Sequence, residues 1–153
     1  MRSATLDVST SPQVRSVWAD LLALLWLAQV ACSTASAKHQ LQLMGYRRAK
    51  TACRILADEQ KQVLQLALKL NVCPSETERA RRIGEMAREA TFPECLRRIC
   101  QAYRELKALH ADRPGLAEWC DGRLRIHGAQ MQYMEFPATY LPDGNVQEIS
   151  HGA

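Results

Sequence analysis

Apolar residues are spaced in two ways along this chain. From Leu21 to Ala31 they form a run broken only by Gln29. After that they recur every three or four residues, the signature of helices with one buried face. Residues 39 to 71 predict one long helix, with Leu41, Ala52, Ile55, Leu56, Val63, Leu66, Ala67 and Leu70 on one face. Arg48 and Glu59 interrupt that stripe, Gly45 weakens its first turns, and Pro74 in "NVCPS" stops the helix.

Ser75 begins a second predicted helix. Glu78 follows three residues later, a capping box that satisfies free backbone N–H groups. The helix runs to about Ala90. Its narrow stripe of Ala80, Ile83, Ala87 and Ala90 places it on the surface of a bundle. A third helix starts at "FPEC", with Pro93 suited to a first turn, and runs to about His110. Leu96, Ile99, Tyr103 and Leu106 form a seam at spacings of three and four, ready to pack on another helix. "ADRPG" is a break. Residues 116 to 136 read two ways: "LAEWC" is helical, whereas "RLRIHGAQMQYMEF" alternates like a hairpin around Gly128. "PATYLPDGNVQEISHGA" has two prolines, a Pro-Asp-Gly turn and little apolar content, and reads as an irregular tail.

The fold class is therefore mainly α: a small up-and-down bundle of three to four helices behind an N-terminal signal helix, with an irregular C-terminal tail. The apolar run from Leu21 is preceded by Arg2 and Arg15 and followed by "CSTASA", whose Ala35-Ser36-Ala37 is the small-x-small pattern of signal-peptidase sites. The expected division is 1–37 as a signal peptide or an uncleaved anchor, 38–136 as a helical domain and 137–153 as a flexible tail. The run is shorter than the ~20 residues of a membrane-spanning helix, and Asp20 abuts it. No stable membrane insertion is expected after cleavage.

Charge and composition narrow the function classes. Hydrophobic residues make up 47% and charged residues 24%, enough apolar content for a packed core. The net charge is +4, but the basic residues alternate with glutamates, as in "SETERARRIGEMARE". That is a solvated helix face, not a nucleic-acid stripe, so no nucleic-acid partner is expected.

Export changes the meaning of cysteine, because small domains in oxidising compartments pair their thiols. Cleavage after Ala37 removes Cys32 and leaves Cys53, Cys73, Cys95, Cys100 and Cys120 as disulfide candidates. Cys73 and Cys95 flank the second helix and are placed to close it; Cys100 then meets Cys53 or Cys120. The odd cysteine is available for a bridge to a partner chain. Cys95 and Cys100 lie five apart on one helix and point about 140° apart, so they do not bridge each other. The same divergence argues against a zinc site built from Cys95, Cys100, His110, Cys120 and His127. No metal or cofactor is expected. No G-x-S-x-G, H-E-x-x-H or Gly-rich phosphate loop occurs, no histidine pairs visibly with a nucleophile, and no catalytic residue is assigned.

"CLRRICQAYRELKALHAD" (Cys95 to Asp112) resembles the second long helix of the interleukin-6 family, and within it the α subunits of interleukin-12 and interleukin-23, through Cys95, Leu96, Ile99, Tyr103 and Leu106. "TACRILADEQKQVLQLALKL" resembles the first helix of that group, with Cys53 and Leu56 in fitting places. The family carries two more long helices further on, where this chain has about forty residues with proline, glycine and the expected hairpin. The resemblance implies a secreted, non-enzymatic, cytokine-like ligand that binds a receptor or partner chain through a helix face. The alternative expectation is a bacterial periplasmic or envelope helical protein with a binding or scaffolding role. A small hydrolase or a zinc-binding protein is a third.

Overall fold

The computed structural model of the chain describes residues 11–32 and 46–135. Within them are five α-helices and one short 3-10 turn: α1 (Pro12–Cys32), α2 (Tyr46–Lys69), α3 (Glu76–Met86) with the 3-10 turn Ala87–Glu89, α4 (Phe92–Leu109) and α5 (Pro114–Glu135). No strand occurs among the described residues. The mainly α bundle is thus the observed architecture. The proposed cleavage point after Ala37 and the tail from 137 lie outside the described residues.

The apolar run near the N-terminus is the central helix of the bundle. The backbone N–H of Val14 donates to Ser11 Oγ at 3.1 Å, and Pro12 occupies the first helical position. Thirteen of the 21 residues of α1 are buried, because α4, α2 and α3 all pack around it. A helix surrounded on most sides is apolar nearly all round, which explains the unbroken run. Its half-buried polar residues Ser16, Asp20 and Gln29 have partners. Arg82 of α3 donates from Nη1 to Asp20 Oδ1 at 2.5 Å and to Ser16 Oγ at 3.0 Å. Gln29 donates to the Gln60 side chain and to the carbonyl of Leu25. Trp26 and Val30 form the exposed strip, 44% and 47% accessible.

Capping defines the remaining helices. α2 ends in a Schellman arrangement: Asn71 has φ 61°, its N–H donates to Leu68 O at 3.1 Å, and Val72 N–H donates to Ala67 O at 2.9 Å. The helix therefore stops before Pro74 is reached. Ser75 caps α3 by accepting from Glu78 N–H at 3.0 Å. Thr91 caps α4 by accepting from Glu94 N–H at 3.2 Å, with Pro93 in the first turn. Along α4, Leu96, Ile99, Tyr103 and Leu106 are all fully buried.

Residues 114 to 135 form one continuous helix, so the hairpin reading around Gly128 is corrected. A Cβ at Gly128 would meet open space, so this glycine is not required by a turn or a close approach. Leu116, Cys120 and His127 are buried, and Trp119, Arg123, Leu124 and Met131 half-buried, a helical period. It is hidden in the sequence because two of its inward positions are Arg123 and His127.

Candidate functional site

Glu59 breaks the buried stripe of α2, between Leu56 and Val63, yet it is only 1% exposed. A carboxylate taken out of water requires partners. Three side chains supply them. His127 Nε2 lies 2.8 and 2.9 Å from the two carboxylate oxygens. Arg123 Nη2 donates to Oε1 at 2.9 Å, and the Tyr103 hydroxyl donates to Oε2. His127 Nδ1 sits 2.7 Å from Gln130 Oε1, and its ring stacks on Tyr103 at 11° between planes. The cluster joins α2, α4 and α5 across a gap, since the backbones of α2 and α5 make few close approaches.

Burial alone would push the Glu59 carboxyl up. The hydrogen bond and charge of His127, the Tyr103 hydroxyl and the Arg123 charge outweigh it and hold the group below its usual range. Tyr103 moves the other way: burial first, then the Glu59 charge and hydrogen bond, push its hydroxyl well up, so it stays a donor.

Trp119 connects this cluster to the surface. It meets Tyr103 edge-on at 5.6 Å and lies under the Arg123 guanidinium at 6.0 Å. Its other side faces an open groove of about 620 Å³ between the C-terminal half of α2 and the N-terminal turns of α5. The floor is apolar: Leu66, Leu70, Leu116 and Trp119. Gln62 and Gln65 offer amides, and Lys69 and Arg113 stand at the rim. No carboxylate lines the groove.

The other candidate residues lie apart from both features. Cys53 bridges Cys32, with Cα atoms 6.3 Å apart, tying the end of α1 to the second turn of α2. The expected pairings Cys73–Cys95 and Cys100 with Cys53 or Cys120 are not formed, and all four remaining cysteines carry free thiols. Cys73 sits half-buried with its thiol toward the Pro74 carbonyl instead of toward another cysteine, and Cys95, Cys100 and Cys120 are buried among side chains of the packed interior. Burial pushes the thiols of Cys95 and Cys120 up to about 11 and raises that of Cys100. They are protonated at neutral pH and poor nucleophiles. Among the described residues no group of three or more His, Cys, Asp and Glu is placed to hold a metal ion.

His110 takes a structural place at the end of α4. Trp18 Nε1–H donates to its Nε2 at 3.2 Å, which requires that nitrogen to be unprotonated. Burial, then the Arg113 charge, push the imidazole down in agreement. The cluster around Glu59 was missed in the sequence because its members are 68 residues apart at the Glu59–His127 contact. The one available signal was an acidic residue inside an otherwise apolar helical stripe.

Comparison of the chain with protein-family models, with curated proteins and with solved structures returns no match.

Proposed function

We propose that this chain is a non-enzymatic helical binding protein that acts by burying a helix face on a protein partner. The observation that carries the reading is the separation of reactive chemistry from accessible surface. Glu59, Tyr103, His127 and three thiols are buried in the interior. Among the described residues, the α2–α5 groove is a surface feature of useful size, apolar with polar edges, as partner-binding patches are. A cytokine-like ligand of the kind the α4 segment resembles is one member of this class. The test is surface plasmon resonance of the folded chain against receptor ectodomains; nanomolar binding supports that member of the class.

An extracellular or periplasmic setting is supported by the Cys32–Cys53 disulfide, which persists in oxidising compartments. Cleavage after Ala37 and this disulfide exclude each other, since cleavage removes Cys32. We therefore propose that the exported form retains α1 inside the bundle.

The envelope reading draws on a different observation. α1 has 21 residues and contains an 18-residue stretch of mean hydropathy 1.4, long and apolar enough to cross a membrane, although 67% of that stretch is buried inside the bundle. Fractionation after bacterial expression separates the two: release by osmotic shock supports a free binding protein, and recovery with the membrane supports an anchored one.

A further inference from the structure

We infer that the α2–α5 groove is a docking site for an acidic amphipathic segment of a partner protein. The inference names the partner chemistry for the binding reading above and rests on it. Leu66, Leu70 and Trp119 of the floor are partly open to solvent over the buried Leu116, which suits apolar side chains from one face of a helix. The rim supplies the sign of charge. Lys69 and Arg113 are exposed and, like Arg15, Arg54 and Lys61 elsewhere on the surface, make no ion pair among the described residues; what sets them apart is their place beside an apolar floor. The groove has no carboxylate of its own to neutralise them. The two helix ends that meet there are the C-terminus of α2 and the N-terminus of α5. Their dipoles oppose each other, so the side-chain cations set the local potential.

Trp119 makes docking observable. It is held from behind by Tyr103 and Arg123, so the groove wall is preformed and a bound apolar side chain changes the solvation of the indole.

The experiment is fluorescence anisotropy on the full chain with a labelled peptide carrying leucines on one helical face and glutamates on the other. Two controls run beside it: a lysine counterpart, and a scrambled peptide of the same composition without the amphipathic period. The expected result is binding of the acidic amphipathic peptide alone, weakening with salt. The pair Lys69→Glu and Arg113→Glu should weaken it about tenfold, with an unchanged melting temperature because both side chains are exposed. Equal binding of the scrambled peptide, or no effect of the double reversal, overturns the inference. Binding seen only after removal of residues 137–153 also overturns it, by making the chain's own C-terminal segment the occupant. Receptor binding that survives the double reversal leaves the wider partner-binding reading intact and removes this site alone. Loss of all receptor binding while the peptide still docks removes the wider reading alone.

Discussion

His127 Nε2 on α5 faces both carboxylate oxygens of Glu59 on α2, at 2.8 and 2.9 Å, in a site where neither side chain reaches solvent. With Arg123 and Tyr103 on the same carboxylate, this contact bridges two helices whose backbones stay apart. The bundle is thus closed on this side by charge and hydrogen bonds, and on the α1 side by apolar packing.

Breaking that cluster should be costly, because it leaves buried charge without a partner. Glu59→Ala is expected to destabilise the fold by about 3–5 kcal/mol. Replacing the whole group (Glu59→Leu, Arg123→Met and His127→Leu together) should cost far less, since no orphan charge remains. Urea unfolding followed by circular dichroism measures both. Equal losses for the single and triple variants would contradict the role assigned to the carboxylate.

Stability should fall on acidification in two stages. The folded-state pKa values of both His110 and Glu59 are depressed, so each contributes stability above its unfolded value that is lost as pH falls through the folded one. The first loss begins below about pH 6.5, the unfolded value of histidine, as Trp18 loses its acceptor. The second begins below about pH 4.3, as Glu59 is protonated. Melting temperature against pH checks the sequence of events. Glu59→Gln should flatten the lower stage and leave the upper one in place.

Thiol reactivity should follow burial. With a disulfide-exchange reagent at mildly alkaline pH, half-buried Cys73 reacts first. Cys95 and Cys120, whose thiols are pushed up to about 11, and buried Cys100 react only after unfolding. Mass spectrometry of the labelled peptides reads the order. Fast labelling of Cys95 or Cys120 in the native state would show that the α4–α5 interface opens.

Removing the α1–α2 tether should weaken the fold without dismantling it. The bridge spans a sequence separation of 21, and the chain-entropy estimate for such a loop is about 3 kcal/mol. Cys32→Ala with Cys53→Ala should show a loss of that order in urea unfolding while keeping its helical spectrum. A loss below about 1 kcal/mol would show that the unfolded chain gains little freedom from the cut.

Particular residues show how far the sequence could be read. Ser75 with Glu78, the seam from Leu96 to Leu106 and the end of α2 could be placed from local pattern, because capping and helical spacing are local physics. The continuity of α5 could not, because Arg123 and His127 occupy inward positions that a hydrophobic pattern scores as outward. They become comprehensible only beside Glu59, far away in sequence. The same limit applies to Asp20: it marks the apolar run as unusual, and its reason is Arg82 on another helix. Whether an apolar N-terminal helix is an export signal or a core helix depends on what surrounds it, and its own composition fits both.

The buried position of α1 makes it a part of the mature, folded protein. The most direct test is intact mass with non-reducing peptide mapping on protein expressed through a secretory pathway. The expected chain retains residues 12–32, with Cys32 linked to Cys53 and the other four cysteines present as free thiols. A mature chain beginning at Lys38, soluble and helical with Cys53 unpaired or bridged elsewhere, would contradict it.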